Sequence, residues 1–214
     1  MAEFNVTIEA ASPIHLSSGA ADVNLDADIV RDRFGLPYFP ARRFKGLLYE
    51  SAVEVEEMLT LAGHSFEASP VETIFHHAST SDVQLIVPNF YVKPYDEYQK
   101  IRAEWEYLER EYGSLLRPTD VLETFASTRY QTRLEKGVAK DGSLHNMRVL
   151  DAGVKFFGRL QLLNGGDEHL QWIALALRNL KSAGSKRNRG FGRINCRMDR
   201  DDELIETFLK GALT

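Results

Sequence analysis

Apolar residues recur along this chain with two different periods, that of a strand and that of a helix. The order of these segments constrains the fold more than any other feature. Residues 4–10 alternate apolar and polar side chains, which predicts a strand. Residues 44–59 carry apolar side chains at helical spacing, and Pro40 stands where the helix would begin. A further apolar run at 83–92 contains Pro88, which indicates an edge strand or a bulge.

The same order recurs near the end of the chain, with a strand at 154–163, an amphipathic helix at 168–180 and a strand at 191–198. Two strand–helix–strand units are typical of the ferredoxin-like fold, an antiparallel sheet with helices on one face. We therefore predict an α+β protein with a ferredoxin-like palm. The length of 214 residues fits one domain that carries an insertion.

Residues 93–152 lie between the two units and are predicted to form that insertion. A charged helix is expected over 95–116 and a short second helix from residue 119. Residues 127–151 read as an irregular arm with a turn at 140–143. The insertion would thus have a helical part and an arm.

Charge is distributed unevenly along the chain. The net charge of −5 argues against a general DNA coat protein. Residues 50–72 hold six Glu and no Lys or Arg, whereas residues 181–200 hold seven Lys or Arg and one Asp. Smaller basic clusters lie at 42–45 and 129–140. Such clusters form either one basic face for a polyanion or separate solvated faces.

Several chemistries and settings are excluded or disfavoured. The sequence has no GxxxxGK[ST], GxSxG or HExxH motif. His76 and His77 are adjacent and are interpreted as a loop pair. Cys196 is alone, so no cysteine-rich zinc site is expected and a reducing, cytoplasmic setting fits. No secretory signal is visible and no apolar run approaches ~18 residues, so we expect no membrane partner.

Residues 184–192 form a basic, glycine-rich loop before the last predicted strand. Its glycines, which permit positive φ and close backbone approach, are Gly184, Gly190 and Gly192. Consecutive N–H groups in such a loop can bind an anion, and Lys186, Arg187 and Arg189 add charge complementary to phosphate. The alternative is an exposed connection that simply ends a helix.

A second basic cluster, Arg42, Arg43 and Lys45, lies in the first turn of the first predicted helix. A helix N-terminus attracts phosphate through its free N–H groups and its dipole. Cations there are unfavourable for the helix itself. Their presence makes sense if a polyanion lies at that end.

Five segments, in order along the chain, resemble motifs of one family. Pro37–Gly46 looks like the P-x-I-P-G-S-S-L-K-G motif of the RAMP superfamily of CRISPR-associated proteins, and Ser12–Gly19 looks like its T-G-L-H-I-G-G motif. Leu25–Asp32 is similar to the I-D-x-P-V-I-R-D stretch of the Csm- and Cmr-type backbone subunits of type III interference complexes. Thr128–Leu144 resembles their T-R-T-x-I-D-R…G-x-A-K-x-G-S-L-F segment, and Gly184–Arg193 the superfamily's glycine-rich loop.

The resemblance implies a single RAMP domain over 1–214, with an RRM-like palm and a thumb-like arm. It implies copies stacked along a CRISPR guide RNA, together with other subunits and a single-stranded target RNA. In such backbone subunits the Asp of I-D-x-P cleaves target RNA with a divalent metal such as Mg²⁺. Asp26 occupies that position and would be the catalytic residue, acting either as the proton acceptor or as a ligand that positions the metal.

The resemblance also places His15 and Lys45 at positions associated with guide-RNA contact. With the basic clusters, the predicted RNA-binding residues are His15, Arg42, Arg43, Lys45, Arg129, Arg133, Lys186, Arg187 and Arg189.

The chain departs from the family pattern in the loop that carries Asp26. Asp28 replaces the proline of the motif and is a rival for the catalytic role, as are Asp22 and Asp32. A loop aspartate can also be merely solvated or cap a turn. Two other functions therefore stay open. One is a purely structural backbone subunit, and the other is a CRISPR repeat-processing endoribonuclease, which usually has two ferredoxin-like domains and a catalytic histidine.

Overall fold

The structure is a computed structural model that describes residues 1–21, 25–75, 82–113, 115 and 117–212. The strands are β1 (Ala2–Ala10), β2 (Tyr38–Phe39), β3 (Gln84–Ile86), β4 (Phe90–Tyr91), β5 (Ala126–Gln131), β6 (Leu134–Glu135), β7 (Val138–Ala139), β8 (His145–Leu150), β9 (Lys155–Leu163) and β10 (Ile194–Met198). The helices are α1 (Ala41–Leu61), α2 (Pro70–Phe75), α3 (Tyr95–Tyr112), α4 (Pro118–Glu123), α5 (Asp167–Asn179) and α6 (Asp201–Ala212). None of these helices is long and apolar enough to cross a bilayer.

The main sheet has six strands in the order β10-β1-β9-β4-β2, with β3 also paired to β9, and every neighbouring pair is antiparallel. The chain order β1-α1-β3, then β9-α5-β10, confirms the predicted α+β, ferredoxin-like palm. The run at 83–92 is two short strands rather than one, since β3 ends before Pro88 and β4 begins after it. β4 joins the sheet beside β9, and β2 pairs with β4.

The core lies between this sheet and the helices. Alternate residues of β1, including Phe4, Val6 and Ile8, belong to the same buried cluster as Phe44 and Leu48 of α1. The two-residue period of β1 and the helical period of α1 each place one apolar face on this core, which is why both elements were recognisable in the sequence.

Helix α3 is anchored to the palm by Tyr98. Its hydroxyl donates to Asp32 Oδ2 at 2.7 Å, and its ring stacks on Tyr91 at 4.0 Å. Burial, and then the bond to Asp32, raises the pKa of Tyr98 well above its ordinary value. The other oxygen of Asp32 accepts the N–H groups of Phe34 and Leu36. Both carboxylate oxygens of Asp32, a rival for the catalytic role, therefore accept hydrogen bonds within the fold and stabilise a turn.

The arm is a regular hairpin, and the expectation of irregular structure at 127–151 was wrong. β5 pairs with β8 from Ala126↔Leu150 to Gln131↔His145, and β6 pairs with β7 near the tip. The sequence of β5 is polar on both faces, so it shows no alternation of apolar residues. Its pairing depends on backbone hydrogen bonds, which side-chain patterns do not report.

Candidate RNA interface

Strand β8 has one edge paired with β5, and two loops of the palm attach to the other edge. Ile14 and Leu150 exchange backbone hydrogen bonds of 3.0 and 2.8 Å. Arg148 N–H donates to Ala27 O at 3.0 Å, and His15 Nδ1 lies 2.7 Å from Arg148 O. The segments that resemble two separate family motifs thus meet on one strand of the arm.

Asp26 is held at this edge by a reciprocal pair of hydrogen bonds. Its Oδ2 accepts the N–H of Asn146 at 2.7 Å, and its own N–H donates to Asn146 Oδ1 at 2.9 Å. Asp26 remains exposed. The carboxylate is therefore positioned by the arm while it stays accessible to a ligand.

Asp28 has a different environment. Its Oδ1 accepts from Arg148 Nη1 at 2.9 Å and from the N–H of Ile29 at 2.8 Å, and Arg31 Nε lies 3.8 Å from Oδ2. The side chains of Asp28 and Arg148 are each only 15% exposed. Asp28 is thus paired within the fold, and the further rival Asp22 lies outside the described residues.

His15 is only 4% exposed, with its ring against the backbone of β8. Its carbonyl oxygen accepts the N–H of Ser185 at 3.1 Å. His15 therefore links the glycine-rich loop to the arm, and its contact with guide RNA stays a prediction.

Two glycines of the glycine-rich loop are required by close backbone packing. A Cβ on Gly184 (φ +81°) would lie 2.6 Å from His15 O, and one on Gly192 (φ +80°) would lie 2.1 Å from Ala183 O. Gly190 also has a positive φ of +81°, but a Cβ there would meet nothing within 4 Å. The loop is thus packed at both ends and open near its middle.

Lys186 joins this loop to the base of the arm, which is the β5–β8 ladder as distinct from the β6–β7 tip. Its Nζ donates to Gln131 Oε1 at 2.8 Å and lies 3.2 Å from His145 Nε2. Burial, and to a lesser extent the charge of Arg189, holds the pKa of Lys186 below its ordinary value. Arg187 and Arg189 are exposed. His145 was missed by sequence reasoning because a lone histidine at the end of a polar turn carries no local signal.

The basic residues at the start of α1 point in two directions. Arg43 Nη2 donates to Ser17 O at 2.9 Å, next to the first loop. Lys45 Nζ donates to Leu85 O at 3.1 Å, and Arg42 is exposed. Asn89 Oδ1 accepts the N–H of Ala41 at 2.8 Å, so a side chain already occupies one of the free donors at this helix end.

Arg129 and Arg133 are both exposed on the arm. Arg129 is two residues before Gln131, whose side-chain oxygen accepts the hydrogen bond from Lys186 Nζ. The structure thus brings the glycine-rich loop, Asp26 and the base of the arm together around β8, while Arg42 and Lys45 lie on another face of the palm helix.

The family follows from the sequence over most of its length. A sequence profile of the RAMP superfamily matches residues 7–195. The chain belongs to the RAMP superfamily. No curated protein matches it.

Two solved structures share the fold of this RAMP chain. One is a chain in the cryo-EM structure of the Type III-B Cmr-beta bound to cognate target RNA, with 14% identity and a TM-score of 0.61, covering 96% of this chain and 99% of that chain. The other is a chain of Type III-B Cmr-beta in the apo state, also with 14% identity and a TM-score of 0.61, covering 93% and 98%.

The open face of the RAMP palm carries charges of both signs: Lys155, Arg159 and Arg197 share it with Glu3 and Glu9. Gln161 Nε2 donates to Glu3 Oε1 at 2.8 Å, and Asn5 donates to Asp199 Oδ2 through both its backbone and its side-chain nitrogen. Lys155 Nζ lies 3.9 Å from Glu9 Oε2, so part of the positive charge on this face is paired within the fold.

The residues near Asp26 fit a divalent cation only in part. No group of three or more His, Cys, Asp or Glu side chains within the described ranges is arranged to hold a metal. Mg²⁺, however, is commonly held by one or two carboxylates together with water and substrate phosphates. Asp26 can supply one such carboxylate, so a cation here would take its remaining ligands from water and the RNA.

Proposed function

We propose that this chain is a guide-RNA-binding backbone subunit of a type III CRISPR effector complex and that it cleaves target RNA complementary to the guide. The observation that carries the proposal is the convergence on β8. There, an exposed carboxylate, a basic glycine-rich loop and the base of a projecting arm are tied together by hydrogen bonds. The shared fold with a chain of a Cmr-beta complex bound to cognate target RNA supports it.

The proposal of RNA binding rests on the charges that remain exposed. Arg187 and Arg189 on the loop, Arg129 and Arg133 on the arm, and Arg42 on α1 are all accessible to phosphates. Arginine binds phosphate through fixed, charge-assisted hydrogen bonds. Since phosphates carry no sequence information, the binding is expected to depend little on base identity.

The proposal of cleavage rests on the position of Asp26. RNA supplies its own nucleophile, because the 2′-oxygen can attack the adjacent phosphorus to form a 2′,3′-cyclic phosphate. The bond to the 5′ oxygen of the next nucleotide then breaks, and that oxygen takes a proton from water. The enzyme must align these atoms and accept the proton of the 2′-OH. The arm would splay the bound strand, and Asp26 would take that proton. Mg²⁺, when bound, would offset the negative charge that develops on the phosphorane.

Assembly is the third part of the proposal. Copies associate head-to-tail along the guide RNA, an open heterologous arrangement, with other subunits at the ends. The acidic stretch at 50–72 is the proposed counter-surface for a basic face. Light scattering with and without a long RNA tests this. A closed dimer whose formation does not depend on RNA would contradict it.

We also propose that the protein acts in the cytoplasm.

The decisive experiment is purification from the native host, followed by sequencing of the bound RNA. We expect CRISPR guides to be recovered. The complex is then mixed with Mg²⁺ and either matched or scrambled target RNA. Cutting of the matched target alone supports the whole proposal. Recovery of guide RNA without cutting of the matched target would indicate a structural backbone subunit. Cutting of CRISPR repeat RNA would indicate a processing enzyme.

A further inference from the structure

Phe157 lies on the open face of the palm sheet, in the middle of strand β9. Its cross-strand partners are Thr7 on β1 and Tyr91 on β4. It lies outside the five family motifs, and it lines a cleft of about 520 Å³ between this face and the start of α3. The open face thus carries a cleft with an aromatic floor.

The ring of Phe157 faces this cleft because its neighbour Tyr91 packs on α3 instead. Side chains of residues paired directly across two strands usually interact. Here the ring of Tyr91 stacks on Tyr98 with the centroids 4.0 Å apart, and no aromatic ring of the described residues contacts that of Phe157. Phe157 is half-buried, so its ring is held by the sheet and still lines open space.

Further apolar groups form the walls of the cleft. Tyr95 is 60% exposed, and its ring centroid lies 6.1 Å from that of Tyr91. Pro88 and Pro94 also line the cleft. Small-molecule sites are typically concave and lined by aromatic and apolar side chains with a few polar groups. A planar ring that enters this cleft would therefore contact apolar surface on more than one side.

Two amide side chains that line the cleft supply the polar groups. Gln161 Nε2 donates to Glu3 Oε1 at 2.8 Å, so within the described part of the chain Gln161 Oε1 can still accept a hydrogen bond. Asn89 Oδ1 accepts the N–H of Ala41 at 2.8 Å, which leaves Asn89 Nδ2 as a donor. Unpaired RNA bases are recognised by stacking and by hydrogen bonds along their edges, which carry both donors and acceptors.

The charges in the cleft favour a base over a phosphate. Arg159 and Asp96 both line it, and their charges are opposite. The pair therefore gives the cleft no net charge to attract a phosphate, whereas a base is neutral and stacks without regard to charge.

The cleft is close to the candidate RNA interface. The glycine-rich loop leads into β10, whose first residue, Ile194, pairs with Ala10 of β1. Thr7, the partner of Phe157, is three residues from Ala10, or about 10 Å along the strand. An RNA strand that leaves the loop across the open face can therefore reach Phe157.

We propose that this cleft binds one unpaired base of the bound RNA, which stacks on Phe157. Tyr95 covers the base from the side of α3, and Gln161 and Asn89 bind its edge. The proposal rests on the RNA-binding function above and adds a contact with a base to the contacts with phosphates.

The test measures binding of a fluorescein-labelled ten-nucleotide oligouridine RNA by anisotropy at several salt concentrations. We expect Phe157→Leu, which keeps an apolar side chain but removes the ring, to weaken binding about tenfold. The salt slope should not change, because stacking releases no counterions. Phe157→Tyr keeps the ring and should bind like the wild type. Tyr107→Leu, at a tyrosine 52% exposed on α3 and outside the cleft, is the matched control and should also bind like the wild type.

A labelled ten-nucleotide strand without bases separates stacking from a general loss of structure. It has the same phosphates as the oligouridine but no ring that can stack. We expect Phe157→Leu to bind this abasic strand as tightly as the wild type does. Equal weakening for the abasic strand and the oligouridine would contradict the base pocket.

Grooves lined by aromatic residues also bind proline-rich protein segments, and a labelled ten-residue polyproline peptide is the probe for that alternative. We expect no binding of this peptide. Peptide binding that Phe157→Leu abolishes, together with unchanged RNA affinity, would assign the cleft to a protein partner and overturn the proposal.

The outcomes for the wild type separate this inference from the proposed function. If the wild type binds oligouridine and Phe157→Leu binds it within twofold of the wild type, the base pocket is wrong and RNA binding stands. If the wild-type chain binds no RNA at any salt concentration, the proposed function itself is wrong, and the base pocket with it.

Discussion

Asp26 and Asn146 hold each other through two hydrogen bonds of 2.7 and 2.9 Å, although 120 residues separate them in the sequence. Within the described part of the chain, the carboxylate of Asp26 accepts from a neutral backbone N–H. Two residues along the same loop, Asp28 is neutralised by the guanidinium of Arg148. The fold therefore positions one aspartate with its charge available and uses the other as a structural ion pair.

We expect Asp26→Ala to reduce cleavage of matched target RNA by about 10²–10⁴-fold, because a positioned acid–base group contributes a factor of that size. Guide binding should be unchanged, and the free energy of unfolding should fall by about 1 kcal/mol because the variant lacks the hydrogen bond to Asn146. The measurements are a cleavage time course with Mg²⁺ and urea unfolding.

Asp28→Ala is the matched variant and should have the reverse profile. It leaves Arg148, 15% exposed, without its carboxylate, so unfolding free energy should fall by about 1–3 kcal/mol. Cleavage by the folded fraction should persist. If cleavage survives Asp26→Ala but not Asp28→Ala, the assignment of the catalytic aspartate is wrong.

Replacement of Lys186, Arg187 and Arg189 by Gln together should lower both RNA affinity and the salt dependence of binding. For single-stranded RNA the salt slope should fall by about 0.7 for each phosphate that the variant no longer neutralises. Lys155→Gln with Arg159→Gln, on exposed side chains of β9, is the control and should leave the slope unchanged. Equal slopes for the triple variant and the wild type would count against a role of the loop in RNA binding.

Gly190→Ala and Gly192→Ala should differ in stability although both positions have positive φ. At Gly190 a Cβ meets nothing, so the cost is the left-handed backbone alone, about 1–2 kcal/mol. At Gly192 the Cβ would lie 2.1 Å from Ala183 O, so the loop must also shift and the destabilisation should be larger. Urea unfolding of both variants checks this, and a destabilisation at Gly190 as large as at Gly192 would refute it.

Cys196 should be unreactive in the folded protein. It is 5% exposed, and burial raises the pKa of its thiol to about 12. Because the folded pKa exceeds the unfolded value, this group's contribution to stability is present below pH 9 and declines as pH rises toward 12. At pH 8 an aromatic disulfide reagent should react only after urea unfolds the chain. Rapid labelling without urea would contradict the packing of β10.

The sequence by itself determined the α+β class and much of the palm. In β1 and α1, apolar residues recur with the period of the element, so each element could be recognised from its own residues. The family motifs were equally local, because each is a run of neighbouring residues. Those motifs were enough to name Asp26, but they left Asp28 and Asp32 as rivals.

Only the tertiary structure distinguished among these aspartates. The partners of Asp28 and Asp32 include Arg148 and Tyr98, which lie 120 and 66 residues away along the chain. The burial of His15, the approach of Lys186 to His145 and the regular hairpin of the arm also depend on distant pairs. A local pattern reports which face of an element is apolar, whereas the partner of a polar group is decided by the packing that brings remote segments together.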